Sequence, residues 1–210
     1  MKGRFITFEG GEGAGKSTQL EILHHHLIAQ GFDVIRTREP GGVESSEKLR
    51  KLLLSQTNDD WDPISELLLH FAARREHLEK LIKPALNQGS WVLCDRFIDS
   101  TIAYQGYGNG IDISFIRDLH SSIQQNIYPD LTLIFDLPPE VGLSRVEQRG
   151  TRDRYELMDL AFHAKLRNGF RAIGELEPDR CVIINAEKNI DEIKAEILEV
   201  LKKKFSDLGV

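Results

Sequence analysis

The segment Gly10-Gly11-Glu12-Gly13-Ala14-Gly15-Lys16-Ser17 decides the fold of this chain, because it matches the pattern G-x-x-x-x-G-K-[ST] at every fixed position. The residues before it, RFITFE (4–9), are β-branched and aromatic and predict a strand. The residues from Lys16 to about Gln30 have helical spacing. A strand, a glycine-rich turn and a helix in this order predict a phosphate-binding loop.

The chemistry of a phosphate explains the residue types in this loop. Glycines let the backbone fold around an anion with its N–H groups pointing inward, and the following helix aims its positive dipole end at the same place. Lys16 supplies a mobile positive charge for the β and γ phosphates of a nucleotide, and the Ser17 hydroxyl is a ligand for Mg²⁺. The loop therefore predicts a nucleotide site with a bound magnesium ion.

Outward from the loop, predicted strands alternate with predicted helices. This order predicts parallel βαβ crossovers and a doubly wound α/β fold, with helices on both faces of a five-stranded parallel sheet. We find no internal repeat and no linker, so residues 1–210 are predicted to form a single domain. The predicted strands are 4–9, 33–39, 90–95, 131–137 and 181–186, and the predicted helices are 16–30, 44–55, 64–87, 112–127, one after Pro139, 156–175 and 190–205.

Composition excludes several classes of partner. The formal net charge of −6 gives no general field that would collect nucleic acid or an anionic membrane surface. No apolar run approaches the roughly 18 residues of a membrane span, and the first residues do not have the pattern of a signal peptide. We therefore predict a cytoplasmic protein that binds small molecules, with no nucleic-acid or membrane partner.

A second metal ligand is predicted at the end of the third strand. The apolar run Val92-Leu93-Cys94 delivers Asp95 to the carboxyl edge of the sheet, where open α/β sheets bind their ligands. Asp95 would hold Mg²⁺ directly or through water, and Arg96 after it would lie among phosphates. Asp136, at the end of the fourth strand, is the alternative, but prolines and no arginine follow it.

The phosphate-binding loop does not by itself define a reaction. The chain has no N/T-K-x-D tetrapeptide of the kind that reads guanine in GTPases. Two classes of function therefore remain open on the residues alone. One is a kinase of a small molecule, and the other is a nucleotide-sensing module without catalysis.

Five motifs together resemble the bacterial thymidylate kinases over residues 5–200. They are FEGGEGAGKST (8–18), TREPGG (37–42), FAARREH (71–77), DRFIDSTIAYQG (95–106) and RGTRDR (149–154). The resemblance implies a P-loop kinase fold with a mobile lid at about residues 145–157, and a homodimer. It also implies the reaction ATP + dTMP = ADP + dTDP, which serves dTTP synthesis, with Mg²⁺ and with ATP bound by residues 10–18, including Thr18.

The resemblance also implies where the catalytic cations lie. Some members of the family carry an arginine in the phosphate loop, whereas in others that position is glycine and the lid supplies the arginines. This chain has Gly13 in the loop and Arg149, Arg152 and Arg154 in the lid, so it resembles the second group. Arg149 and Arg154 match its catalytic lid residues, which act together with Lys16, Asp95 and Arg96. Arginines that arrive only on closure would keep ATP from reacting with water.

The dTMP site is carried over from the resemblance by position. Glu12 matches the carboxylate that takes the sugar 3′-hydroxyl, and Tyr104 matches a ring beside the sugar. Arg50 and Arg96 match guanidiniums that grip the acceptor phosphate, a bidentate task that suits arginine. Contacts to the base or to the walls of its pocket are implied for Glu39, Pro40, Arg74, Thr101 and Gln105.

One position departs from the family pattern. The family has an aromatic residue four positions before its base-reading arginine, and that residue stacks on the thymine. The residue four before Arg74 is His70, whereas Phe71 is four before Arg75. Both pairs share a helix face, so the geometry allows either. We take Arg74 as the base reader and keep both His70 and Phe71 as stacking candidates.

Overall fold

The computed structural model describes residues 3–55, 61–150 and 153–206. Five parallel strands form one sheet in the order β2-β3-β1-β4-β5. They are β1 (Phe5–Gly10), β2 (Val34–Arg38), β3 (Trp91–Asp95), β4 (Leu131–Asp136) and β5 (Cys181–Asn185). Each lies within one or two residues of its predicted range. The predicted α/β class with a five-stranded parallel sheet is confirmed.

Helices cover both faces of this sheet. They are α1 (Lys16–Ala29), α2 (Glu44–Leu54), α3 (Pro63–His77), α4 (Lys83–Gln88), α5 (Ile98–Thr101), α6 (Ile113–Gln124), α7 (Pro139–Arg149), α8 (Leu160–Leu176) and α9 (Ile190–Lys204). In the part of the chain that the structure describes, no helix is both long and apolar enough to cross a bilayer.

The central strands are buried on both faces, which is why they are apolar almost throughout. On one face, Phe5 and Val92 belong to a core completed by helices α3, α5, α6 and α8. On the other face, Ile6 and Leu93 belong to a core that includes residues of α1 and α9. The sheet is therefore a rigid support whose carboxyl edge carries the loops described below.

Two helix predictions differ from the structure, and one helix was not predicted. The helix predicted over 64–87 is interrupted by a π-helical turn, Leu78–Ile82, because Pro84 has no N–H to donate to the preceding turn. The helix predicted from residue 156 begins at Leu160, where the Asp159 side chain caps it by accepting from the Phe162 N–H at 2.7 Å. Residues 98–108 form a helix that we did not predict: α5 continues into a π-helical segment, Ile102–Gly108.

Candidate active site

The phosphate-binding loop joins β1 to α1, as the motif predicts. Its backbone enters the left-handed region at Gly13 (φ 66°) and Gly15 (φ 86°), which glycine adopts without strain. A Cβ atom at Gly13 would also collide with the carbonyl of Gly142 in α7, so close packing as well as φ requires glycine there. Helix α1 begins at Lys16 and directs its N-terminus into the loop.

Lys16 folds back over this loop. Its Nζ donates to the carbonyl of Gly11 at 2.7 Å and to that of Gly10 at 3.1 Å. Burial lowers the pKa of the Lys16 ammonium, as does the charge of Arg96, while Glu12 and Asp95 act in the opposite direction. The ammonium therefore lies within the loop, where it can exchange a carbonyl partner for a phosphate oxygen.

Two oxygen ligands suited to a magnesium ion converge beside the loop. The Ser17 hydroxyl donates to Oδ2 of Asp95 at 2.7 Å, because β3 and β1 are neighbours and end at the same edge. Asp136, the alternative considered from the sequence, has a different partner. Arg167 of α8 donates to its two carboxylate oxygens at 2.6 and 3.0 Å. A hydroxyl and a carboxylate are hard oxygen donors of the kind that Mg²⁺ prefers.

Arg96 turns back toward the loop because its own backbone is left-handed, with φ 69°. Its guanidinium donates to the carbonyl of Gly10 at 3.0 Å and to Oε1 of Glu12 at 2.7 Å. A non-glycine residue in this conformation costs about 1–3 kcal/mol and is typical of functional sites. The strained backbone places a fixed positive charge within reach of the phosphate-binding loop.

Glu12 accepts from two side chains at once. Besides Arg96, the hydroxyl of Tyr104 donates to its Oε1 at 2.6 Å, and the Arg96 guanidinium lies over the Tyr104 ring, 5.0 Å from its centre. Burial alone would raise the pKa of the Glu12 carboxyl, but the charges of Arg96 and Lys16 lower it to about 2. Glu12 is therefore ionised at neutral pH and serves as a hydrogen-bond acceptor.

Arg74 is the centre of a buried network at the other end of the cavity. Its Nε donates to Glu39 at 2.6 Å, and its Nη2 donates to the Thr101 hydroxyl at 2.8 Å and to the Phe97 carbonyl at 3.1 Å. Among the described residues, its Nη1 has no hydrogen-bond partner although it is buried. His77 contacts the other oxygen of Glu39 at 3.0 Å. Glu39 is therefore held in place and in turn orients Arg74.

The residues next to Arg74 on α3 differ in whether they face the cavity. Arg75 points away from the cavity and donates to the carbonyl of Ile123 at 2.8 Å. His70 lines the cavity, whereas Phe71 is only 1% exposed and belongs to the core. Burial, with the charge of Arg74, lowers the pKa of His70 to about 3, so its ring is neutral at physiological pH. Of the two stacking candidates, His70 is thus the one that lines the cavity, and its stacking role stays a prediction.

These side chains surround a cavity of about 550 Å³. Arg50 also lines it and donates to the carbonyl of Pro40 at 2.8 Å. The peptide bond between Glu39 and Pro40 is cis. Of the predicted site residues, the cavity is lined by Glu12, Gly13, Ala14, Gly15, Lys16, Ser17, Thr18, Glu39, Pro40, Arg50, His70, Arg74, Asp95, Arg96, Thr101, Tyr104 and Gln105.

A second cleft adjoins the outer side of the loop. Gly13, Gly15 and Thr18 contribute one wall, and the turn between β5 and α9, including Lys188 and Asn189, contributes another. Arg145 of α7 also lines this cleft and donates to the carbonyl of Gly13 at 3.1 Å. The loop thus separates two compartments, so a molecule in each would meet at the loop.

The structure describes some residues of the predicted lid and not others. The side chain of Arg149 and the whole of Arg152 lie outside the described atoms. Arg154 forms an ion pair with Glu66 of α3 rather than with the phosphate-binding loop. Asp153, Tyr155 and Glu156 line the cavity. Arg154, predicted to reach the reacting phosphates when the lid closes, here shares Glu66 with the Gln105 amide, which donates to that carboxylate at 2.7 Å. Its catalytic role stays a prediction.

Sequence reasoning missed Tyr155 and Ser100, which line the cavity, and Glu66, which accepts from Gln105 and Tyr155 of its wall. Glu66 lies four residues before His70 and eight before Arg74, so helical periodicity places all three on one face of α3. That spacing could have identified Glu66. Tyr155 approaches only because residues 154–158 turn back onto α3 before α8 begins, which no local pattern indicates.

Comparisons with known proteins agree with this geometry. A family profile described as Thymidylate kinase matches residues 8–197. The chain is 51% identical over 204 residues to a thymidylate kinase of Caulobacter vibrioides, covering 97% of this chain and 98% of that one. It is 48% identical to a thymidylate kinase of Magnetococcus marinus, covering 98% of both chains. The crystal structure of thymidylate kinase from Ehrlichia chaffeensis superposes with a TM-score of 0.77 at 40% identity, covering 96% of this chain and 99% of that one.

Proposed function

The chain belongs to the thymidylate kinase family, and we propose that it transfers the γ-phosphoryl group of ATP to dTMP within the cavity between the phosphate-binding loop and α3. The observation that carries the proposal is the arrangement of the cavity's two ends. One end has the loop with Lys16, and the other has Arg74 with a buried guanidinium nitrogen that no described residue satisfies. A phosphorylated molecule with a carbonyl-bearing base would span the two ends.

The base end favours a 4-oxopyrimidine. A guanidinium donates hydrogen bonds and cannot accept them, so Nη1 of Arg74 suits the O4 carbonyl of thymine or uracil and not the amino group of cytosine or adenine. His70 offers a neutral ring at the family's stacking position. The thymine methyl adds only about 1–3 kcal/mol over dUMP, because a single apolar group contributes no more than that.

Glu12, Tyr104, Arg96 and Arg50 form the proposed sugar and acceptor-phosphate site. An ionised Glu12 can accept the 3′-hydroxyl, and Tyr104 packs where a 2′-hydroxyl of a ribonucleotide would project. Arg96 and Arg50 have main-chain carbonyl partners here and can turn toward a phosphate. Holding the acceptor oxygen in line with ATP supplies much of the rate in a reaction that requires no covalent intermediate.

The donor side is the phosphate-binding loop together with Ser17 and Asp95. A hydroxyl and a carboxylate 2.7 Å apart fit the hard oxygen ligands of Mg²⁺, and these two residues would hold it. When bound, Mg²⁺ neutralises charge on the β and γ phosphates. Lys16 would exchange its carbonyl partners for phosphate oxygens, and Arg149 would approach the transferred group from the lid.

The decisive experiment is a panel of phosphoryl acceptors with ADP production as the readout. We expect dTMP to be the best acceptor, dUMP weaker, and dCMP, AMP and UMP poor. ADP release that depends on added dTMP separates this proposal from a nucleotide-binding module without catalysis, which would release none. An enzyme that prefers AMP or UMP would retain the kinase chemistry and overturn the acceptor assignment.

We also propose that the protein is a homodimer that buries part of α3. Ile64 and Leu68 lie one turn apart on α3 and are 40% and 47% exposed, and Phe115 of the neighbouring α6 is 40% exposed. Exposed apolar side chains on two helices that pack together suit a second copy of the same chain. Light scattering should give the mass of two chains, and Leu68→Lys should halve it; a monomeric wild-type protein would refute the proposal. The cytoplasmic location predicted from the sequence stays a prediction.

A further inference from the structure

Glu66 is a buried carboxylate beside the cavity, and it contacts both the wall of the cavity and the predicted lid. It lies on α3 and is 3% exposed. Its Oε1 accepts from the amide of Gln105 at 2.7 Å and from the hydroxyl of Tyr155 at 2.9 Å. Its Oε2 accepts from the guanidinium of Arg154. One carboxylate therefore holds a wall of the base pocket and two residues of the predicted lid.

The lid-side partners offset part of the cost of burying the Glu66 carboxylate. A buried carboxylate is costly unless cations and hydrogen bonds compensate its charge. Arg154 supplies the cation, and its guanidinium also lies over the Tyr155 ring, 4.9 Å from the centre. If residues 153–156 moved away, Glu66 would lose its cation and one hydrogen bond. The carboxylate thus favours the docked lid.

The pocket-side partner matters for recognition of the base. A carboxylate cannot donate, so Glu66 selects the orientation in which the Gln105 amide nitrogen faces it. The amide oxygen is then the group that Gln105 offers to the cavity it lines. With the Nη1 donor of Arg74, this gives one donor and one acceptor, the complement of the O4 and N3–H edge of thymine. Cytosine presents the opposite pattern.

We propose that Glu66 is a positioning residue that couples docking of the lid to recognition of the acceptor's imide edge, and that Arg154 acts through Glu66 rather than on the transferred phosphoryl group. The proposal rests on the proposed phosphorylation of dTMP. It separates two effects of Glu66: orientation of Gln105, which determines base selectivity, and anchoring of Arg154, which determines how well the closed lid is held.

The test compares Glu66→Gln, Arg154→Ala and the double variant. The matched control is Glu76→Gln, which removes another carboxylate of α3. Glu76 contacts Ser45 and Lys80 on the surface and should leave activity unchanged. We expect kcat/KM for dTMP to fall about tenfold or more in each single variant, as for a lost hydrogen bond to a charged group. Because the two residues act as a pair, the double variant should lose much less than the product of the two.

Selectivity between dTMP and dCMP distinguishes positioning from a general structural role. Glu66→Gln should lower the ratio of the two kcat/KM values about tenfold, since its amide can turn the Gln105 side chain around. Arg154→Ala should leave this ratio unchanged, because Glu66 still holds Gln105. A wild-type ratio in a folded Glu66→Gln protein overturns the role in recognition.

A third measurement uses wild-type protein and Arg154→Ala, so it does not require that the Glu66→Gln variant folds. Hydrogen exchange of backbone amides in residues 153–158 should slow severalfold when dTMP binds wild-type protein, and this protection should be lost in Arg154→Ala. Two results would overturn the anchoring role: full protection from exchange in Arg154→Ala, or a loss of kcat/KM in the double variant equal to the product of the two single losses. Arg154 would then be assigned to the transferred phosphoryl group. Failure of wild-type protein to phosphorylate dTMP would instead refute the proposed function, and the two failures are thus distinct.

Discussion

Arg74→Ala removes the donor that we assign to the thymine carbonyl. In the wild-type structure the guanidinium is held by Glu39, Thr101 and the Phe97 carbonyl, so Nη1 is the nitrogen left for a substrate. The loss of a hydrogen bond from a charged donor costs about 1.5–3 kcal/mol, which is about 10- to 150-fold in kcat/KM for dTMP. Cytosine has no O4 to accept from Arg74, so dCMP should lose far less.

The ratio of kcat/KM for dTMP to that for dCMP is therefore the quantity to measure, and it should fall by about 10- to 150-fold. The ratio is insensitive to partial unfolding, because both substrates meet the same folded molecules. That matters because the variant leaves the buried Glu39 without its arginine. Breaking such a pair costs about 3–5 kcal/mol, or roughly 6–20 °C in Tm. His77, 3.0 Å from Glu39, would offset part of this loss.

Arg75→Ala is the matched control on the next residue of the same helix. Its guanidinium donates to the Ile123 carbonyl at 2.8 Å and pairs with Glu79 at 3.0 Å, outside the cavity. We expect the ratio to stay at its wild-type value. A ratio that falls in Arg75→Ala and survives in Arg74→Ala would refute the assignment of the base reader and the register on which it depends.

Three further predictions concern the phosphates, the lid and pH. Lys16→Met should lower kcat by orders of magnitude with little change in Tm, because its Nζ donates to loop carbonyls and not to the core; near-normal turnover would contradict the loop assignment. Arg149→Ala should lower kcat much more than it raises the KM for dTMP, as steady-state kinetics can show, since it is proposed to act in the transition state. Burial, with the nearby Asp99, raises the pKa of Glu9 to about 8, so its contribution to stability is lost as pH rises from about 4.5 to 8. Denaturant unfolding should therefore show Glu9→Gln gaining stability relative to wild type across that range, and a constant difference would refute the raised pKa.

The sheet and the loop were predictable because their signals are local. The central strands β1, β3 and β4 are short runs of mostly apolar residues, as burial on both faces requires. The loop motif combines a backbone requirement at Gly13 and Gly15 with a fixed position for Lys16, so eight consecutive residues specify it. Sequence order alone then brings Asp95 to the edge of the sheet where the loop lies.

Residues 98–108 show what a local pattern cannot predict. This segment contains β-branched residues and two glycines, Gly106 and Gly108, which disfavour a helix. The structure nevertheless forms α5 and a π-helical continuation, because α8 packs against it and Phe162 fits beside Gly108. Thr101, Tyr104 and Gln105 all lie on this segment, so their convergence on the cavity depends on contacts with α8, which begins at Leu160, far along the sequence.

The cations at the phosphate site and in the base pocket differ in their protein partners. Lys16 donates to loop carbonyls, Arg96 to Glu12 and Arg50 to the Pro40 carbonyl, so a phosphate that binds them exchanges one partner for another. Nη1 of Arg74 has no partner among the described residues, so a thymine carbonyl adds a hydrogen bond without displacing a protein group. A buried donor left unsatisfied costs about 1–3 kcal/mol, which binding of the correct base would recover and binding of cytosine would not. Recognition of the correct base therefore adds a hydrogen bond, whereas binding of the phosphates replaces hydrogen bonds that the protein already makes.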